Sequence, residues 1–247
     1  MSRHLNILRK ARIDADLFPH RAAPAHGGNR RPAPVAELVT PHGQWQQLVH
    51  ELFLRREPEG PRAIGFASAT AGEGTSYVVQ HVAGELARLT EQPALLLEAN
   101  LYRPSQAVRH GLEADPGLRR ILANREFPVE RCLRRTAFHH LWMLPAGSTS
   151  DGSPAAPEWA RFPPVMQCLR ERFSGIVVDM PPVNLSTDAM ILSPLFDGVV
   201  LVVQADLCSR EVIQNAVHRL GRANRNVLGT ILNKRKFVIP EPIYRRL

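Results

Sequence analysis

From residue 63 onward the chain alternates short unbroken apolar runs with stretches whose apolar residues recur every three or four positions. Continuous apolar runs mark strands buried on both faces, and the 3.6-residue period marks helices packed over them. The runs predict strands at Ala63 to Ala67, Ala94 to Leu97, Leu141 to Leu144, Gly175 to Val178, Gly198 to Val203 and Val227 to Leu232. Val78, Val82, Leu86 and Leu89 keep helical spacing after the first strand, and later helices are expected at Thr187 to Leu192 and Arg210 to Leu220. This alternation gives an α/β fold with a parallel, doubly wound sheet. Gln44 to Arg55 reads as a helix ahead of it. Leu5, Leu8, Ile13 and Leu17 have the spacing of one face of a short helix, a candidate docking peptide, and His20 to Pro41, rich in Pro, Ala, Gly and Arg, reads as a linker. The expected organisation is a flexible extension over 1–43, one domain over 44–234 and a basic tail over 235–247.

Charge changes the picture only at the ends. The formal net charge is +8, yet residues 1–35 hold seven basic against two acidic side chains and residues 234–247 five against one. The 19 basic and 20 acidic residues between them leave a near-neutral body. Such a body offers no nucleic-acid face, whereas basic tails suit an anionic membrane surface or an acidic partner. Cys132, Cys168 and Cys208 share no CxxC spacing, so neither a zinc site nor a disulfide framework is indicated, and a reducing cytoplasm fits. The longest apolar run, Gly198 to Val203, is far short of the roughly 18 residues that span a bilayer.

The chemistry centres on ATAGEGTS at 69–76, between the first apolar run and the helical spacing that follows it. A phosphate-binding loop of the form GxxxxGK[ST] curls backbone N–H groups around phosphates, neutralises them with a lysine and holds magnesium with a hydroxyl. Gly72, Glu73, Gly74 and Ser76 preserve the curl and the hydroxyl, but Thr75 stands in the lysine position. The chain has only three lysines, Lys10, Lys234 and Lys236. Three more patches end predicted strands, the edge of a parallel sheet where ligands bind. They are LLLEANLYRP with Glu98 and Asn100, IVVDMPPV with Asp179, and ILNK with Asn233 and Lys234. An acid closing an apolar strand suits the water shell of magnesium in such a site, which makes Ser76 and Asp179 the candidate metal pair.

In order and spacing, FASATAGEGTS, LLLEANLYRP, VVDMPPVNLSTDA, FDGVVLVV and ILNK resemble the motifs of the bacterial tyrosine kinases of capsule and exopolysaccharide synthesis. These are P-loop NTPase-fold proteins related to MinD and ParA. The resemblance covers roughly residues 44 to 234. It implies ATP or ADP with magnesium as cofactor, held by Gly72, Glu73, Gly74, Thr75 and Ser76, with Asn233 on the base side and Asp179 on the metal side. Thr75, Glu98 and Asn100 depart from the family's lysine and paired aspartates. Phosphoryl transfer is chiefly charge stabilisation and positioning, and each lost charge costs roughly 3 kcal/mol in the barrier.

The resemblance therefore implies a catalytically degraded relative, a regulatory or scaffolding subunit of exopolysaccharide synthesis and export. It would be cytoplasmic, recruited to the inner membrane face by the cytoplasmic end of a chain-length-determining co-polymerase. Two other functions stay open. One is an active autokinase in which Arg103, Lys234 or a partner's basic residue replaces the lysine; Tyr244, in place of the family's tyrosine cluster, reads as a tail anchor packing on the body or as a lone acceptor. The other is a ParA- or MinD-like positioning ATPase, which the near-neutral body disfavours.

Overall fold

The computed structural model describes residues 4–8, 41–54, 63–148, 157–205, 207–223 and 226–235. Ile13, Leu17, the 20–40 stretch, Lys10, Lys236 and Tyr244 lie outside them. An eight-stranded sheet runs in the order β1-β8-β7-β2-β6-β3-β5-β4. Its strands are β1 (His4–Leu8), β2 (Ala63–Ser68), β3 (Ala94–Glu98), β4 (Arg134–Arg135), β5 (Leu141–Leu144), β6 (Gly175–Asp179), β7 (Gly198–Gln204) and β8 (Val227–Arg235). The six central strands are parallel, and β1 and β4 close the two edges antiparallel to β8 and β5. All six predicted strands are present within three residues of their expected ends.

The fold corrects one expectation. Leu5 and Leu8, read as one helix face, belong to β1, whose backbone pairs with β8 from His4↔Arg235 to Leu8↔Thr230. Helical spacing in five residues is too short to outweigh an open sheet edge that satisfies every backbone group it pairs.

The helices are α1 (Pro41–Val49), α2 (Thr75–Thr90), α3 (Gln106–His110), α4 (Leu118–Ala123), α5 (Phe162–Arg172), α6 (Asp188–Leu192) and α7 (Arg210–Ala223), with one π-helical turn at His50–Leu54 after α1. They cover both faces of the sheet and divide the core in two. Ile64, Phe66, Leu96 and Val177 face α1 and α2, whereas Ala63, Ala67, Leu95, Leu97 and Val178 face α4, α5 and α7. The period-two alternation of Cβ directions sends neighbours in one strand to opposite cores, so each run has to be apolar throughout.

The parallel strands all end at one edge. There β2 leads into the 69–76 loop, β3 into Asn100 and β6 into Met180, and β8 carries Asn233 and Lys234 at its end, so the four sequence patches meet.

Candidate functional site: an uncharged phosphate cradle

The loop turns at two left-handed glycines, Gly72 (φ 88°) and Gly74 (φ 93°), and runs directly into α2. The backbone N–H groups from Ala71 to Ser76 have no acceptor among the described residues. Six consecutive free donors at a helix N-terminus are an anion cradle. Gly74 is required twice over, since a Cβ there would lie 2.2 Å from the Asn233 side-chain nitrogen on a backbone already at positive φ.

The cradle is held from beneath by its own glutamate. Glu73 is fully buried; its carboxylate accepts from the Thr70 N–H at 2.5 Å, the Thr70 hydroxyl at 2.9 Å and the Gln204 N–H at the end of β7 at 3.0 Å. From β8, Asn233 donates its amide to the Glu73 carbonyl at 2.8 Å. Asn233 is thus spent on the loop backbone. Lys234, at a left-handed φ of 59°, donates its Nζ to the Gly72 carbonyl at 2.6 Å and to the Gln204 side chain at 2.9 Å. Its ammonium grips a carbonyl of the loop, while the donors that would meet a phosphate are the N–H groups.

Thr75, in the lysine position, is buried, and its hydroxyl has no hydrogen-bond partner among the described residues. Arg103 is exposed. Arg109, on α3, lowers the pKa of both Glu98 and Asp179 by its charge. Arg109 lies beyond the LLLEANLYRP motif, and no sequence pattern marks it.

The two acids differ in how they are used. Glu98, almost wholly buried, accepts the backbone N–H groups of Ser105 (2.5 Å), Gln106 (2.6 Å) and Ala146 (3.1 Å), which fixes the start of α3 and the strand end after β5. Burial raises its pKa, and those three donors pull it back. Glu98 is a fastening for two loops. Asn100 accepts the Arg103 N–H at 3.4 Å within its own turn. Asp179 closes β6 fully buried, and burial pushes it up to about 7 against the pull of the Gln106 amide and the Ser76 hydroxyl. Its Oδ2 takes the Gln106 amide at 2.7 Å, and its Oδ1 is unpartnered.

The expected metal pair, Ser76 and Asp179, is therefore brought together with Gln106 between them. Magnesium at a P-loop needs oxygen ligands and room for its waters. Here an N–H donor occupies one oxygen of the single acid still free, so the residues do not fit the ion. No cluster of three or more His, Cys, Asp or Glu side chains suited to a metal is found among the described residues. Gln106 is absent from any motif, and nothing in the periodicity signals a buried glutamine.

No family model matches the chain. It is 24% identical over 173 residues to the tyrosine-protein kinase CapB of Staphylococcus aureus, described as putative, and covers 75% of that protein with 70% of its own length. Over 183 residues it is 28% identical to the succinoglycan biosynthesis transport protein ExoP of Rhizobium meliloti, of which it spans 22%. Among solved structures the chimerical protein CapA2B2 superposes over 79% of this chain and 85% of its own at a TM-score of 0.71 and 18% identity. The cell-division ATPase MinD of Pyrococcus furiosus superposes over 68% and 70% at 0.60 and 22%. The class is thus the P-loop NTPase fold with a mostly parallel, doubly wound sheet. Within it, the chain's sequence relatives include bacterial tyrosine-protein kinases.

Proposed function

We propose that this chain is a catalytically degraded relative of the bacterial tyrosine kinases, a regulatory or scaffolding subunit of exopolysaccharide synthesis and export. One observation carries the reading. The cradle keeps its free N–H donors while the charges that would drive phosphoryl transfer are absent or otherwise engaged: Thr75 replaces the lysine, Asn100 an acid, Glu98 fastens two loops, and Lys234 holds a carbonyl. A nucleoside diphosphate or triphosphate would be held by Gly72, Glu73, Gly74, Thr75 and Ser76 through their backbone, more weakly than with a lysine. ExoP, a biosynthesis transport protein that contains a matching segment, supports a partner of the same kind: the cytoplasmic end of a chain-length-determining co-polymerase in the membrane. Among the described residues no helix is long and apolar enough to cross a membrane, so association would be peripheral.

The test is incubation of the purified chain with radiolabelled ATP, alone and with the co-polymerase's cytoplasmic segment. The expected outcome is co-purification with that segment and no label on tyrosine. Label that disappears in D179N would overturn the reading. It would favour an active autokinase, for which the nearness of Lys234 Nζ to the loop, 2.6 Å from the Gly72 carbonyl, is the supporting observation.

A further inference from the structure

The Gln106 side chain is fully buried and makes two hydrogen bonds through one nitrogen, to the Ser76 carbonyl at 3.0 Å and to Asp179 Oδ2 at 2.7 Å. The Ser76 carbonyl can only accept, so the amide must turn its NH2 inward. In P-loop sites the loop hydroxyl takes magnesium, and the strand-end aspartate accepts a hydrogen bond from a water of the ion's shell. We propose that the Gln106 amide stands in for that metal-bound water against Asp179, so that the cradle takes a phosphate-bearing anion without a divalent cation.

The fold holds the amide there and disfavours a cation beside it. Gln106 is the first residue of α3, and Glu98 fixes that helix start by accepting the Ser105 and Gln106 N–H groups. The same bonds saturate Glu98, which leaves Asp179 as the one acid at the loop with an open oxygen. A hard cation that prefers six oxygens would have to displace an N–H donor and make do with one carboxylate. The Arg109 guanidinium, which acts electrostatically on both acids, supplies positive charge at the same edge without a metal.

The test is binding to the full-length chain, with no activity required. ADP is titrated calorimetrically in magnesium and in EDTA, and manganese(II) is followed by electron paramagnetic resonance of the free ion with ADP present. The expected result is an ADP affinity that differs by less than about threefold between the two media. The wild type should retain no manganese, whereas Q106A, by freeing Asp179 Oδ2, should retain it. Stoichiometric manganese retention by the wild type overturns the proposal, as does absence of ADP binding in EDTA. A folded Q106A that retains none does so too. If Q106A does not fold, Q106S, whose short side chain likewise withdraws the amide from Asp179, takes its place in the same comparison. The inference rests on the cradle described above; failure of the proposed function would show separately, as ATP-dependent labelling of tyrosine.

Discussion

Burial decides what each acid of the site can do. Glu98 and Asp179 sit opposite each other in the β3–β6 register, yet one is saturated by three backbone donors and the other keeps a bare oxygen. Because the folded chain holds the Asp179 proton up to about 7, from an ordinary value of 3.8, it binds protons more firmly than the unfolded chain between those limits. Stability from this group is complete below pH 4, falls as pH rises towards 7 and stays low above it. D179N removes the titration while retaining an oxygen for the Gln106 amide. Its stability relative to wild type should therefore rise by about 4 kcal/mol between pH 4 and pH 8, measured by urea unfolding at each pH. A difference independent of pH would sink this account. Gly74 makes the matching backbone statement: G74A should cost about 1–3 kcal/mol, because the methyl meets the Asn233 amide on a strained φ. The same urea curves at a single pH check it.

At the scale of elements, the site is only as firm as the attachment of α2. Trp45 on α1 stacks on His81 of α2 at 4.9 Å and meets Tyr77 edge-on at 6.2 Å, which ties α1 to the first turns of the helix that begins at the cradle. W45A should cost about 3 kcal/mol, seen as a lower thermal midpoint, and should increase amide exchange in 75–81 more than in α7. Equal exchange in both helices would mean that α1 does not brace the loop. The central strands were legible in the sequence because burial on both faces demands continuous apolar runs, and the loop was legible because only glycine fits its two left-handed turns. The edges were not. β4 has two residues, and β1 is set by an unfilled partner on β8, a long-range fact that local spacing does not contain. Gln106 was illegible for a similar reason: its partners, Ser76 and Asp179, lie 30 and 73 positions away.

For the molecule as a whole, turnover requires groups from separate parts of the sheet edge to be correct together, and on the function proposed above this chain departs at several of them. The loop after β2 lacks its ammonium, the turn after β3 has Asn100 for an acid, and the acid after β6 is occupied by an amide from α3. Binding and turnover should then respond differently to repair of one part. T75K places a cation beside six free N–H donors and should tighten ADP binding about tenfold, the size of one charge-assisted hydrogen bond, in a calorimetric titration. The same protein should still leave radiolabelled ATP unconsumed. Its new lysine restores one charge only, and Asn100 and the Gln106–Asp179 pair remain as they were. ATP hydrolysis by T75K that is lost again in T75K/D179N would show that one charge alone separates this chain from an enzyme. An unchanged ADP affinity would show that position 75 does not reach the cradle.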